Sequence, residues 1–275
     1  MNVRPGNVRP ENVGPGRVRL VHLSDIHFGV EDAAACEAAI GAVADFAPDL
    51  VVVSGDLTRN GLPREFRAAR AWLDRLPSPR LVTPGNHDTP YWNLALRALT
   101  PFNRYRRYIG PSHQAIDLDG VAARAINSAR GPQPRLNWSK GAVRLNRVSE
   151  AGAQLAAAGD RLKVFACHHP LREIEGEKVA GGVRRGEAAS AILAQAEVDL
   201  ILTGHLHQPF ALPLPYGDGR TYAVGAGTLS LRTRGPPAGF STIEADADEI
   251  MVIAHGWTGS HFEPFRTWGL PRRKN

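Results

Sequence analysis

From residue 17 onward the chain alternates two hydrophobic patterns. Continuous apolar runs of strand length, RVRLVHL (17–23), DLVVVS (49–54) and RLVTP (80–84), are separated by stretches with helical apolar spacing at 33–46, 63–76 and 91–108. This βαβα order predicts a largely parallel sheet covered by helices on both faces. Further on, HQAIDLD (113–119) and VAARAIN (121–127) meet at Asp119-Gly120 and predict a hairpin. A helix over 146–158, the strand RLKVFAC (161–167), a helix over 185–196 and the strand VDLILT (198–203) come next. The last third, with TYAVGA (221–226), FSTIEAD (240–246) and EIMVIAH (249–255), has short strands and no helix. We expect a second, antiparallel-leaning sheet packed face to face on the first: a single-domain α/β protein built as a two-sheet αββα sandwich. Residues 1–16 repeat Asn-Val-x-Pro without an apolar face and read as an extended arm. The domain is then expected over 17–255, with 256–275 a basic, solvated tail ending RTWGLPRRKN.

Composition narrows the class without naming it. Among 275 residues, 43% are hydrophobic, enough for a real core, so disorder throughout is excluded. No run approaches the roughly 18 apolar residues that span a bilayer, and the amino terminus lacks the apolar segment of a secretion signal. A cytoplasmic location is expected. Cys36 and Cys167 are too few for a disulfide framework or a thiolate metal site and are expected in the core. The net charge of +6 favours anionic over cationic partners and says little else.

The candidate chemistry lies in polar clusters placed directly after five of the apolar runs. These are Ser24-Asp25-Ile26-His27, Gly55-Asp56, Gly85-Asn86-His87-Asp88, His168-His169-Pro170 and Gly204-His205-Leu206-His207. Each cluster falls at the carboxyl end of a predicted parallel strand, where open α/β sheets build their sites. Asp25 and His27, like His205 and His207, are two apart, so in extended chain each pair projects to one side. Carboxylates, imidazoles and one carboxamide suit Mn, Fe or Zn, and seven such donors suit two ions about 3.5 to 4 Å apart sharing a carboxylate. Six of the ten histidines fall in these motifs; His22, His113, His255 and His261 are expected in the core or on the surface.

In this order, D-x-H, G-D, G-N-H-D, H-H-P and G-H-x-H resemble the calcineurin-like metallophosphoesterase superfamily over about residues 17–210. The resemblance implies a metallophosphoesterase-like sandwich and two metal ions. Asp25, His27 and His207 would hold one, Asn86, His168 and His205 the other, and Asp56 would bridge. It implies attack on phosphorus by a metal-bridging hydroxide, with His87 off the metals, facing the phosphate or the leaving oxygen. His169 is expected to pack behind the ligands. G-D-L-T and G-N-H-D are similar to class III cyclic-nucleotide phosphodiesterases, so a small or cyclic phosphodiester is the expected substrate.

The resemblance has one departure. Protein phosphatases of the superfamily read G-D-x-x-D, and that last Asp orients the catalytic histidine; this chain has Arg59 there, leaving Asp88 as the candidate substitute. Arg59, Arg64, Arg130 and Arg135 are candidate phosphate clamps, with solvated surface the commoner outcome, and Trp138 could lie over the crevice. No arginine cluster adjoins the motifs, which favours diester over monoester substrates. The competing readings are a DNA nuclease, a lipid-precursor pyrophosphatase and a non-catalytic scaffold. V-H-L-S-D-I-H-F-G resembles the opening of repair nucleases, but the chain ends soon after the last motif, so nucleic acid is not the favoured partner. The scaffold of this fold lacks the ligand histidines present here. Oligomeric state is not legible.

Overall fold

A computed structural model of the chain describes residues 16–133, 137–173 and 183–273. Along the chain the elements are β1 (Val18–Leu23), α1 (Ala33–Phe46), β2 (Leu50–Val53), α2 (Pro63–Leu73), β3 (Arg80–Val82), α3 (Leu94–Leu99), α4 (Asn103–Tyr108), β4 (Gln114–Asp117) and β5 (Val121–Ala125). Then come α5 (Leu145–Ala156), β6 (Leu162–Ala166), α6 (Gly186–Gln195), β7 (Leu200–Thr203), β8 (Phe210–Pro213), β9 (Tyr222–Gly225), β10 (Gly239–Ala245), β11 (Glu249–Trp257) and β12 (Phe262–Pro271). Among the described residues no helix is long and apolar enough to cross a membrane.

The strands form two six-stranded sheets, ordered β12-β11-β10-β1-β2-β3 and β4-β5-β6-β7-β9-β8. Strand β2, Leu-Val-Val-Val, is buried on both faces, as an interior parallel strand must be. Leu20, Leu50, Val52 and Leu81 meet Val121, Val164, Leu200 and Leu202 between the sheets. The opposite face of the first sheet packs on α1 and α2 through Val21, Val51 and Val53 against Val43, Phe66 and Trp72. The second sheet packs Phe165 and Ile201 on Val148, Leu155 and Leu193 of α5 and α6. Four layers result: helix, sheet, sheet, helix. Local signals set the helix starts. Asp32 accepts from Ala35 N at 3.0 Å to cap α1, and Pro63 opens α2 while Glu65 accepts from the backbone N–H of Leu62 at 3.2 Å.

Four expectations change. The stretch 91–108 is two short helices, because Pro101 cannot continue the helix that ends at Leu99. The second sheet does not lean antiparallel: β5, β6, β7 and β9 run parallel, and only β4 and β8 at its edges are antiparallel. The antiparallel strands β10 to β12 instead extend the first sheet, β10 pairing with β1 from Val18↔Ala245 onward. Finally, 256–275 is not a solvated tail. Residues 262–271 are strand β12, whose Pro264 pairs with His255 beside a register shift between Ala254 and His255, on an edge where a missing N–H is tolerated. Arg272 lies 4.0 Å from Asp199, and Arg273 bonds Asp218 at 2.8 Å, so these tail cations dock against the second sheet. The arm expected over 1–16 lies, up to residue 15, outside the described residues.

Removing residues 259–275 should therefore lower the thermal midpoint and promote aggregation through the exposed edge of β11. An unchanged midpoint in a melting curve would restore the tail.

Candidate metal centre

The carboxyl ends of β1, β2 and β3 in one sheet and of β6 and β7 in the other open on one crevice, and the five motifs meet there. The backbone that delivers them is not extended. Asp25, His27, Asp56, His205 and His207 all have positive φ, between 53° and 69°, so the two-residue spacing works through left-handed turns rather than strand alternation. Such conformations are held only where the surroundings over-determine them. Here Asp25 N–H donates to Gly55 O at 2.9 Å, His27 N–H to Asp56 O at 3.0 Å, and Gly204 N–H to His168 O at 2.9 Å. A Cβ at Gly85 would overlap the Asp56 carboxylate, and one at Gly204 would overlap Ser24 Oγ and Asp25 Oδ2. These two loops tolerate only glycine.

All seven expected ligands are buried and fall into two groups. In one, Asp25 Oδ1 lies 3.1 Å from His207 Nε2 and 3.6 Å from His27 Nε2, and the two imidazole nitrogens are 3.2 Å apart. In the other, Asn86 Oδ1 lies 3.2 Å from His168 Nε2 and 3.1 Å from His205 Nδ1. Asp56 Oδ2 reaches both, 3.3 Å from His168 Nε2 and 3.8 Å from His27 Nε2. Behind them, carbonyl oxygens fix the rings: His27 Nδ1 donates to Thr58 O at 3.3 Å, His168 Nδ1 to Ser54 O at 2.8 Å and His207 Nδ1 to Arg232 O at 2.7 Å.

This set fits cations. A carbonyl only accepts, so each of those Nδ1 atoms carries its proton, and a neutral ring turns a bare lone pair at Nε2 toward the centre. Two such lone pairs facing one another at 3.2 Å repel unless a proton or a metal lies between. Asp25 Oδ1 is buried without a hydrogen-bond partner, although its companion Oδ2 accepts from Ser24 Oγ at 2.6 Å and His205 N–H at 2.8 Å. Burial pushes the carboxyl groups of Asp25 and Asp56 up, but the surrounding histidines outweigh it and hold both well below the usual range. For His168, burial pushes down and Asp56 more than compensates, raising it to about 9. Burial pushes His27 and His205 the other way, toward the neutral form that can offer a lone pair to a cation.

The remaining candidates sort by contact. His169 binds Ser128 Oγ at 2.8 Å and Ser139 O at 2.7 Å, so both its ring nitrogens are spent on the protein. His22 is buried against Ser54 Oγ at 2.9 Å, and burial pushes it down to about 3. Asp88 does not orient His87. It accepts from the N–H groups of Leu57, Thr58 and Gly85 at 2.9–3.2 Å and ties the loop after β2 to the loop after β3. The orienting group is the main-chain carbonyl of Arg59, which accepts from His87 Nδ1 at 2.7 Å. Trp138 is held by Arg97, whose guanidinium lies 5.3 Å from its ring centre. Arg64 is exposed and Arg135 lies outside the described residues.

Sequence reading missed Arg232. It comes from the loop between β9 and β10, and its Nη1 stands 3.4 Å from both His27 Nε2 and His87 Nε2. Its neighbour Arg234 donates to His205 O at 3.0 Å. Burial pushes Arg232 down, with Arg59 adding to the effect; Arg232 and Arg234 beside the motif histidines correct the expectation that no arginine cluster adjoins the motifs. No local pattern in Leu231-Arg232-Thr233-Arg234 marks it.

The fold and the centre are those of a metallophosphoesterase. The sequence matches the calcineurin-like phosphoesterases over residues 18–209, and the chain belongs to that family; it is a metal-dependent phosphoric ester hydrolase. It is 28% identical over 243 residues to a protein of Synechococcus sp. named probable cyclic nucleotide phosphodiesterase, covering 83% of this chain and 88% of that one. To the glycerophosphodiester phosphodiesterase GpdQ of Enterobacter lignolyticus it is 34% identical over 166 residues, 55% of this chain and 56% of the relative. Among solved structures, GAP50, the anchor in the inner membrane complex of Plasmodium, superposes with a TM-score of 0.63 at 15% identity, over 94% of this chain and 90% of that one. That likeness concerns the fold.

Gly204→Ala should displace Ser24 and Asp25, costing about 1–3 kcal/mol as an overpacked site. Metal analysis and a melting curve should show reduced metal content together with a lower midpoint; a variant with full metal content would contradict the close approach.

Proposed function

We propose that the chain is a dinuclear-metal phosphodiesterase acting on small phosphodiesters, cyclic nucleotides among them. The supporting observation is the pair of donor groups joined by Asp56 Oδ2. In this reading Asp25, His27 and His207 hold one ion, Asn86, His168 and His205 the other, and Asp56 is shared, the ions being Mn, Fe or Zn. When bound, the ions supply a water ionised near neutral pH and draw charge from the phosphoryl oxygens.

The chain's own groups position and protonate. Arg232, between His27 and His87, is placed to donate to a phosphoryl oxygen. His87 has Nδ1 committed to Arg59 O, so only Nε2 faces the centre. Burial pushes His87 down to about 4, with Asp56 opposing and His27 and Arg232 reinforcing. A bound phosphate anion counters those cations and raises the ring, so that Nε2 takes a proton from solvent and passes it to the departing oxygen. Because a main-chain carbonyl orients His87, Arg59 in place of an Asp removes nothing from this role.

The diester preference rests on the relatives, named for cyclic-nucleotide and glycerophosphodiester hydrolysis, rather than on any shortage of arginines. Purified enzyme should contain two metal ions per chain. Asp56→Asn should lose most of both and nearly all turnover while circular dichroism stays native; full metal content and turnover in that variant would overturn the dinuclear reading. Mn-loaded enzyme should hydrolyse bis(p-nitrophenyl) phosphate with higher kcat/KM than p-nitrophenyl phosphate, and the reverse ranking would favour a monoesterase. Arg232→Ala should chiefly raise KM. His87→Ala should keep its metal and lower kcat, by about 10²-fold for alkoxide leaving groups and less for p-nitrophenolate. Equal losses for the two leaving groups would exclude proton donation.

A further inference from the structure

Beyond the metal centre, two adjoining cavities share Arg130 and Pro132 at the carboxyl end of β5. The larger, about 490 Å³, is lined by Arg106, Arg130, Arg144 and Arg147, and the smaller, about 330 Å³, by Arg130, Arg184 and Arg185. Among the described residues no carboxylate lines either one. The main chain joins their walls, with Ala142 N–H donating to Ser128 O at 2.9 Å and Arg184 N–H to Gly141 O at 3.1 Å. Ser128 also contacts His169, so the groove backs onto the layer behind the metal ligands.

Most of the charge in this groove has no acidic partner among the described residues. Arg147 pairs with Glu150 at 3.0 Å, but among the described residues no carboxylate pairs with Arg106, Arg130, Arg144, Arg184 or Arg185. Burial pushes Arg130 down, and Arg144 and Arg185 add to it, as expected of cations within range of one another. One helix reinforces the field. Arg144 is the N-cap of α5, which has neither a side-chain cap nor an acid in its first turn, so its positive end opens beside like charge; Arg185 is the N-cap of α6, whose first turn carries Glu187. An acid, Ser or Asn at either position would stabilise the helix, whereas arginine does so only with an anion present.

The donor set points to the ligand. Among the described lining residues, six arginines and no lysine offer planar forks that match phosphate oxygens two at a time. Their one aromatic residue apart from His113 is Phe102, which is buried, so these residues provide no stacking for unpaired bases. We propose that this groove binds a small oligophosphate, an anion with two or more linked phosphate groups, at a site separate from the metal centre. The phosphates can belong to a free chain or to a nucleotide.

The test is calorimetric titration of metal-loaded enzyme with tripolyphosphate and with ATP, metal content being measured before and after. Wild type should bind one equivalent and gain in thermal midpoint. Asp56→Asn should bind with unchanged affinity, while Arg130→Ala should weaken binding at least tenfold, as should the exposed pair Arg144→Ala with Arg184→Ala, which spares the half-buried position. Equal affinity for the two probes supports a free oligophosphate and tighter binding of ATP a nucleotide. No binding to wild type, unchanged binding in the arginine variants, or a loss confined to Asp56→Asn would overturn the proposal.

Discussion

Buried lone pairs that face one another are the constraint on which the rest of this structure depends. His27 and His207 present bare nitrogens at 3.2 Å, Asp25 Oδ1 has no donor, and Asp56 Oδ2 reaches toward both groups. Such an arrangement is unfavourable by itself and becomes favourable around cations. The fold exists to hold it, because neither sheet carries enough donors alone. Strands β1 to β3 bring Asp25, His27, Asp56 and Asn86, and β6 and β7 bring His168, His205 and His207. The apolar layer between the sheets fixes how closely these ends approach.

Much of the precision is main-chain work. Carbonyls of Ser54, Thr58, Arg59 and Arg232 each accept from a histidine Nδ1 and so aim the other nitrogen. A carbonyl is the same whatever side chain its residue carries, which is why Arg59 can stand where related phosphatases carry an orienting acid. Asp88, freed from that task, clamps the loops after β2 and β3, which carry Asp56 and Asn86, through three backbone N–H groups.

Charge is distributed with the same economy. The cations at the carboxyl end are satisfied by Asp199 and Asp218 and act structurally, whereas Arg232 and the arginines around Arg130, Arg147 excepted, pair with no carboxylate among the described residues. A net charge of +6 conceals that difference. Position relative to carboxylates, not number, decides which cations are available to an anion.

The sequence by itself determined the layers and the candidate ligand set. Apolar runs of period and length suited to buried strands located β1, β2, β3, β6 and β7, and the motifs after them named the residues that meet in the crevice, because burial and glycine-bounded turns leave local signatures. It misplaced β10 and β11 and missed β8 and β12. Edge strands bury little and tolerate Pro213, Pro264 and Pro271, so their pattern is weak, and which sheet a strand joins depends on partners far along the chain. Only the tertiary structure decided the left-handed turns at the ligands, the carbonyl that orients His87, and the arrival of Arg232 from a loop with no motif. Each is a contact between segments remote in sequence, made by groups that any sequence contains.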